Sequence, residues 1–152
     1  MSLSEEIKAS SFPSLEEQTF VNLLFTTSHF EAKFNQFIKA FGLTTEQYKV
    51  LRILRGRHPK EILSGDLQSL MLRTMSNSTR LVDKLVDKDL VSRDKNPLDK
   101  RQIRVCITHS GLDLLSTLDY EVANLFKSLI KSDKENLIRL NTLLDELREL
   151  SY

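Results

Sequence analysis

The sequence predicts a mainly α-helical fold that contains one short pair of β-strands, and three observations support this class. Apolar residues recur at helical spacing within residues 78–86. Residues 90–107 alternate apolar and polar side chains on either side of a charged turn, as two short strands do. Long stretches with helical apolar spacing precede and follow this region. The expected fold is a winged helix-turn-helix, a three-helix core plus a two-stranded β-wing, between long N- and C-terminal helices.

The amino-terminal half of the sequence is predicted to form helices. Apolar residues between positions 20 and 41 mark one face of a long helix, which Gly42 can end as a C-cap glycine. Thr44 and Gln47 offer a capping box for a second helix. Ser64 can cap a short third helix, and a tight turn then leads to the next.

The segment from Met75 to Ile107 is the most informative part of the chain. It predicts an amphipathic helix, a short strand, a charged turn and a second strand in which Ile103, Val105 and Ile107 alternate with polar residues. A polar-faced helix followed by a basic hairpin suits a winged helix that reads DNA. The helix would enter the major groove while the hairpin reaches the neighbouring backbone or the minor groove.

The carboxyl-terminal part predicts two more helices. Thr108 can cap a long helix, and Ser132 with Glu135 offers a capping box for the last one. Together with the first helix, these carry more apolar residues than a small winged helix can cover. Because such surplus usually marks an oligomer interface, we expect a homodimer. The alternative is an intramolecular bundle of the same helices.

Several of these motifs together indicate a family. The chain resembles bacterial MarR-type regulators, the multiple-antibiotic-resistance-repressor family of dimeric winged-helix DNA binders, from about residue 15 to residue 150. The resemblance implies a single domain over residues 1–152, with dimerisation helices at about 15–41 and 109–150 and a winged helix-turn-helix at about 44–108. The residues that carry it are Ser78-Thr79-Arg80-Leu81-Val82-Asp83-Lys84-Leu85, Leu90-Val91, Arg93, Asp99-x-Arg101 and Thr108-x-x-Gly111.

The chain departs from the family pattern at two positions. The family usually has glycine where Asp89 stands, at the end of the recognition helix. Since Asp tolerates a left-handed backbone better than most residues, we expect the turn to persist with some strain. The family also tends to have arginine where Lys100 stands. Lysine keeps the positive charge but lacks the planar guanidinium that can donate two parallel hydrogen bonds.

Short polar and basic side chains are the candidate DNA contacts. At a helix start, such side chains and free backbone N–H groups can meet phosphates and base edges. The alternatives are that Ser76 only caps the helix and that Lys84 is a solvated surface charge. The predicted set is Ser76, Asn77, Ser78, Thr79, Arg80 and Lys84 in the helix, and Arg93, Lys95, Asp99, Lys100 and Arg101 in the wing.

Asp99 and Arg101 lie two residues apart, on the same side of a strand-like segment, so their side chains can pair. The resemblance implies that the Asp orients the guanidinium for insertion into a narrow minor groove. The alternative is an exposed salt bridge that contributes between 0 and ~1 kcal/mol.

Charge is unevenly distributed along the chain. The net charge is only +1, whereas many nucleic-acid binders are visibly basic. Residues 73–104, however, contain nine Lys or Arg against five Asp, a local net charge of +4, and the remainder has 13 positive against 16 negative side chains, a net charge of −3. The positive charge lies where the groove-facing elements are expected.

The sequence gives little support for a metal site, a cofactor site or an enzyme active site. His29, His58 and His109 lie far apart and there is one cysteine, so no zinc pattern exists. No Gly-rich phosphate loop or nucleophile–base arrangement appears, so we expect no cofactor and no enzyme activity. Cys106 excludes an internal disulfide and is interpreted as a packed structural thiol. With no membrane span or signal peptide in the sequence, a cytoplasmic location is expected.

The expected function is a dimeric transcriptional regulator, a repressor that binds a pseudo-palindromic operator and occludes a promoter. The resemblance implies control by a small aromatic or anionic effector, bound between the dimerisation helices and the winged helix. Phe30, Phe34 and Tyr48 could line that cavity, although core packing explains them equally well. His29 could lie near it, and the alternative is a satisfied histidine at an interface. The alternative is a winged-helix protein–protein adaptor without DNA binding, which the near-neutral charge and the Asp-rich recognition helix favour.

Overall fold

The computed structural model describes residues 3–7, 11–71 and 78–149. In these ranges the chain forms seven helices and three strands, and it divides into two compact units, residues 1–115 and 116–152. The helices are α1 Leu3–Ile7, α2 Leu15–Lys39, α3 Thr45–Arg55, α4 Ser64–Leu70, α5 Ser78–Val86, α6 His109–Leu129 and α7 Lys134–Glu149. The strands are β1 Ile62–Leu63, β2 Val91–Lys95 and β3 Ile103–Ile107.

Helix α2 has a polar cap at its start and a glycine turn after its end. The Ser14 hydroxyl accepts the backbone N–H of Glu17 at 3.1 Å, which satisfies one of the free donors of the first turn. Gly42 has φ of +72°, a left-handed conformation that glycine adopts without steric cost. The predicted glycine stop is therefore confirmed.

Helix α3 begins at the predicted capping box. The Thr44 hydroxyl accepts the Gln47 N–H at 3.2 Å, and the Gln47 side-chain oxygen accepts the Thr44 N–H at 3.0 Å. This exchange satisfies two donors that the helix itself leaves free. The inner face of α3 then buries Val50, Leu51 and Leu54 in the core of the first unit.

The wing is part of a three-stranded antiparallel sheet in the order β1-β3-β2. Ile62 of β1 lies opposite Val105, and β2 pairs with β3 over its whole length, from Val91 opposite Ile107 to Lys95 opposite Ile103. The sequence predicted only β2 and β3. Strand β1 has two residues, which is too short for an alternating pattern to be recognised.

One apolar core holds the described elements of the first unit together. Side chains from α2, α3, α4, α5, β3 and the start of α6 contribute to it, and each is almost fully removed from solvent. This arrangement confirms the predicted winged helix-turn-helix with long flanking helices. The most deeply buried members are Ile38, Val50, Leu51, Leu54, Leu67, Leu85, Val105 and Leu115.

The turn that joins α5 to the wing is closed by backbone hydrogen bonds around Asp89. Asp89 has φ of +56°, so the left-handed backbone expected at this departure from the family pattern is confirmed. Its N–H donates to the Val86 carbonyl at 2.8 Å, and the Leu90 N–H donates to the Leu85 carbonyl at 3.0 Å. The Thr108 hydroxyl donates to the Asp89 carbonyl at 2.7 Å. The turn thus connects the end of α5 with the start of α6.

The second unit contains the remainder of α6 and helix α7. The N-cap of α7 is Asp133, whose carboxylate accepts the backbone N–H of Asn136 at 2.8 Å. The prediction that Ser132 caps this helix is wrong, because α7 begins at Lys134 and the Asp133 carboxylate occupies the N-cap position. Several apolar side chains of this unit are more than half exposed: Tyr120, Ile138, Leu140 and Leu143.

Candidate nucleic-acid interface

Helix α5 has one buried apolar face and one exposed polar face. Val82 and Leu85 are buried in the core, which fixes the rotation of the helix about its axis. Thr79, Arg80 and Lys84 are exposed. These three predicted contacts therefore lie on the solvent side of the recognition helix, where a DNA groove can reach them.

The predicted contacts at the helix start lie mostly outside the described residues. The structure describes neither Ser76 nor Asn77, and of Ser78 it describes the backbone but not the side chain. The prediction placed the helix start near Met75, whereas the described helix begins at Ser78. The roles of these three residues stay predictions.

The tip of the wing is held by hydrogen bonds between its two sides. The Asn96 backbone N–H donates to the Gln102 carbonyl at 2.9 Å, and the Asn96 side-chain amide donates to the Gln102 side-chain oxygen at 2.8 Å. Lys95, Lys100 and Arg101 are exposed around this turn. The predicted basic character of the wing is therefore present at its surface.

The predicted side-chain pair between Asp99 and Arg101 is not formed. The Asp99 carboxylate instead accepts the backbone N–H of Arg101 at 3.0 Å, and the Asp99 carbonyl accepts the Gln102 N–H at 2.9 Å. The prediction treated the two residues as part of a strand, but they belong to the turn before β3. In that conformation an Asp side chain reaches the N–H two residues later. Asp99 shapes the turn, and the Arg101 guanidinium extends into solvent.

Arg93 is engaged within the protein. Its guanidinium forms an ion pair with the Asp83 carboxylate, which joins β2 to α5. The sequence correctly predicted that helix and strand are neighbours, but nothing in it indicated this pair. Both side chains remain partly exposed, so the pair is expected to add little to the stability of the fold.

The sequence also missed two interactions at the base of the wing. Arg104 of β3 forms an ion pair with Glu61, next to β1. Burial and the nearby Glu61 carboxylate raise the pKa of the Cys106 thiol, in that order of importance. Glu61 lies directly before β1, the short strand that the sequence did not predict. The interpretation of Cys106 as a packed thiol agrees with its partial burial.

A small cavity lies between α1 and α2. Its volume is about 240 Å³, and Leu3, Glu6, His29 and Phe30 are among its lining residues. Phe30 thus lies where a ligand could contact it. Phe34 does not line this cavity: its ring meets the Tyr48 ring edge-on, with centroids 5.6 Å apart. Tyr48 is buried, and its hydroxyl accepts a hydrogen bond from the Arg52 guanidinium at 2.8 Å. Core packing therefore accounts for the positions of Phe34 and Tyr48.

Two absences hold for the part of the chain that the structure describes. No group of three or more His, Cys, Asp or Glu side chains there could hold a metal ion. In the same ranges no helix is long and apolar enough to cross a membrane.

The fold and this surface define a winged-helix protein of the type found in transcription regulators. The model of the MarR family matches residues 43–103, which include α3 to α5 and most of the wing. The multiple antibiotic resistance protein MarR of Escherichia coli (strain K12) is 29% identical over 124 residues, 78% of this chain and 75% of that protein. The chain is thus similar to MarR-family transcriptional regulators, both in the winged-helix segment and over most of its length.

Solved structures of this family have the same fold. A MarR transcription factor from Planctomyces limnophilus is 27% identical and superposes with a TM-score of 0.69, over 93% of this chain and 98% of that one. A mutant MarR from E. coli, complexed with operator DNA, is 23% identical and has a TM-score of 0.70, over 97% of this chain and 99% of that one.

Proposed function

We propose that the chain is a homodimeric repressor that binds a pseudo-palindromic operator in double-stranded DNA and responds to a small effector. One observation carries the proposal. Helix α5 and the neighbouring wing each expose basic side chains, and the apolar side of each is anchored in the same core. Groups on rigid elements can be held at fixed positions along a duplex, which reading a sequence requires.

The roles of the individual groups follow from their chemistry. Arg80 and Lys84 on α5 would face the major groove, where an arginine can donate two hydrogen bonds to one guanine. Arg101 at the wing would enter the adjacent minor groove, whose negative potential attracts a guanidinium. The free guanidinium of Arg101 supports this role, because none of its donors is satisfied by the described part of the protein.

A second copy of the chain would supply a second recognition helix and a second wing. Leu15, Phe20 and Leu24 on α2 are all more than half exposed, and the second unit exposes Tyr120, Ile138, Leu140 and Leu143. So much exposed apolar surface on helices favours self-association. A two-fold dimer would place two recognition helices in successive major grooves, about 34 Å apart. The mass measured by light scattering should then be twice 17.6 kDa.

The cavity between α1 and α2 is the proposed effector site. A volume of about 240 Å³ suits a single aromatic ring, and Phe25 and Phe30 supply apolar walls. The Glu6 carboxylate on the lining favours a neutral ring over an anion. We therefore expect phenol to raise the thermal unfolding temperature more than benzoate at equal concentration.

Selection from random double-stranded DNA tests the DNA-binding proposal. The full chain should enrich a pseudo-palindrome, and transcription in vitro from a promoter that carries it should fall as protein is added. Arg101→Ala should weaken binding to the enriched duplex by roughly 1–3 kcal/mol. Lys131→Ala, which removes an exposed charge from the segment before α7, is the control and should leave binding unchanged. Enrichment of no sequence would overturn the proposal and would favour the adaptor.

Asp99→Asn separates the two roles that Asp99 could have. Asparagine keeps the side-chain oxygen that accepts the Arg101 N–H, and it removes one negative charge near the DNA. If Asp99 only shapes the turn, affinity should rise slightly. If Asp99 orients the guanidinium through its charge, affinity should fall.

A further inference from the structure

The tip of the wing carries an apolar side chain that the fold does not use. Leu98 is 95% exposed, more than any other large apolar residue in the described ranges. It follows Pro97, which is also exposed, so the outermost part of the hairpin is apolar. The other strongly exposed leucines lie on helices, where a second helix can cover them. Leu98 projects from a turn, and no described element covers it.

The turn holds Leu98 in a defined position. The Leu98 N–H donates to the Asn96 side-chain oxygen at 3.1 Å, and the Asn96 amide in turn donates to Gln102 at 2.8 Å. The Gln102 N–H donates to the Asp99 carbonyl at 2.9 Å, which closes the turn. A tip ordered in this way loses little conformational entropy when it binds.

The charges around the tip indicate what it meets. Lys95, Lys100 and Arg101 are exposed beside Leu98, and the nearby Asp99 carboxylate already accepts a backbone N–H. An apolar tip between cations matches a minor groove, which has apolar sugar walls between two rows of phosphates. A protein partner is a poorer match, because one proline and one leucine offer far less than the ~800 Å² that a stable protein interface buries on each side.

We propose that Leu98 is an apolar wedge that enters the DNA minor groove and widens or kinks it. This inference rests on the proposed DNA-binding function and deepens it. Apolar side chains that unstack a base step bend the duplex towards the major groove. Since pyrimidine–purine steps are the easiest to unstack, the bases under the wing should show a preference for TA or CA steps that no hydrogen bond accounts for.

Binding and bending measurements on one duplex test the wedge. The probe is a duplex of the enriched sequence with a TA step under each wing and a fluorescent dye at each end, so that energy transfer reports the bend. Leu98→Ala should weaken binding by about ten-fold and reduce the bend, because most of the buried apolar surface is lost. The salt dependence of binding should not change, because no charge is removed.

Two further variants keep the test specific. Leu98→Met, which keeps an apolar side chain of similar volume, should recover most of the affinity and the bend. Lys100→Ala should lower the slope of log affinity against log salt by about one, as loss of a phosphate contact does. If the wild-type protein binds the duplex and Leu98→Ala matches it in affinity and bend, the wedge is refuted while the regulator stands. If the wild-type protein binds no duplex, the proposed function itself fails.

Discussion

Replacing Gly111 by alanine should destabilise the protein, because the start of α6 is packed against the base of the wing. A β-carbon at this position would lie 2.7 Å from Cγ1 of Ile107 and closer still to the carbonyl oxygen of Leu90. The same Leu90 carbonyl accepts the Thr108 N–H at 3.1 Å, so it is fixed between β2 and α6. The Gly111 N–H donates to the Thr108 hydroxyl at 3.1 Å, which fixes the first turn of the helix.

The size of the effect follows from two opposing contributions. Overpacking of a well-packed site costs roughly 1–3 kcal/mol, and an overlap with backbone cannot be relieved by rotating a side chain. Alanine recovers about 1 kcal/mol relative to glycine through its higher helix propensity. Since the closest overlap here is with a carbonyl oxygen, we expect the free energy of unfolding to fall by about 1–2 kcal/mol.

Urea unfolding followed by circular dichroism measures this change, at one protein concentration because self-association affects stability. Gly65→Ala is the matched control: Gly65 lies in α4, and a β-carbon there would meet nothing within 4 Å. That variant should be as stable as the wild type or more stable by up to about 1 kcal/mol. If Gly111→Ala is as stable as Gly65→Ala, the packing between α6 and the wing is not as described.

Three further predictions concern the turn, the ion pair and the thiol. Asp89→Gly should raise the free energy of unfolding by about 0.5–1 kcal/mol, because glycine adopts a φ of +56° without strain; a loss in urea unfolding would contradict this. A double-mutant cycle of Asp83→Ala and Arg93→Ala should give a coupling below ~1 kcal/mol that falls as salt is added, since both side chains are partly exposed; a salt-independent coupling would refute it. Cys106 should react with iodoacetamide more slowly at pH 8 than a cysteine in a short peptide, because its raised pKa leaves less thiolate. Glu61→Gln should speed that reaction, and an unchanged rate would show that the carboxylate has no effect.

Features set by local sequence were predictable. The capping box at Thr44 and Gln47, the glycine at position 42 and the left-handed turn at Asp89 each depend on a few neighbouring residues, and each is present in the structure. The buried face of α5 followed from helical periodicity. Long stretches with apolar residues at helical spacing and a charged hairpin are both distinctive patterns. The winged-helix fold was therefore predictable as well.

Features that depend on distant residues were not predictable. Strand β1 exists because β3 offers it an edge, and its two residues carry no pattern of their own. The Asp83–Arg93 pair depends on how α5 and β2 approach each other, which sequence spacing does not give. The pairing expected between Asp99 and Arg101 assumed a strand where the chain turns, and the carboxylate bonds to the backbone instead.

The central claim is that this winged helix reads DNA through a few well-placed groups on a nearly neutral protein. The most direct test is the dissociation constant for the enriched duplex and for a scrambled duplex of equal composition, each measured between about 50 and 200 mM salt. We predict that the enriched duplex binds at least about 10³-fold more tightly, and that both affinities fall steeply as salt rises. Equal affinity for the two duplexes, or binding that does not change with salt, would contradict the claim.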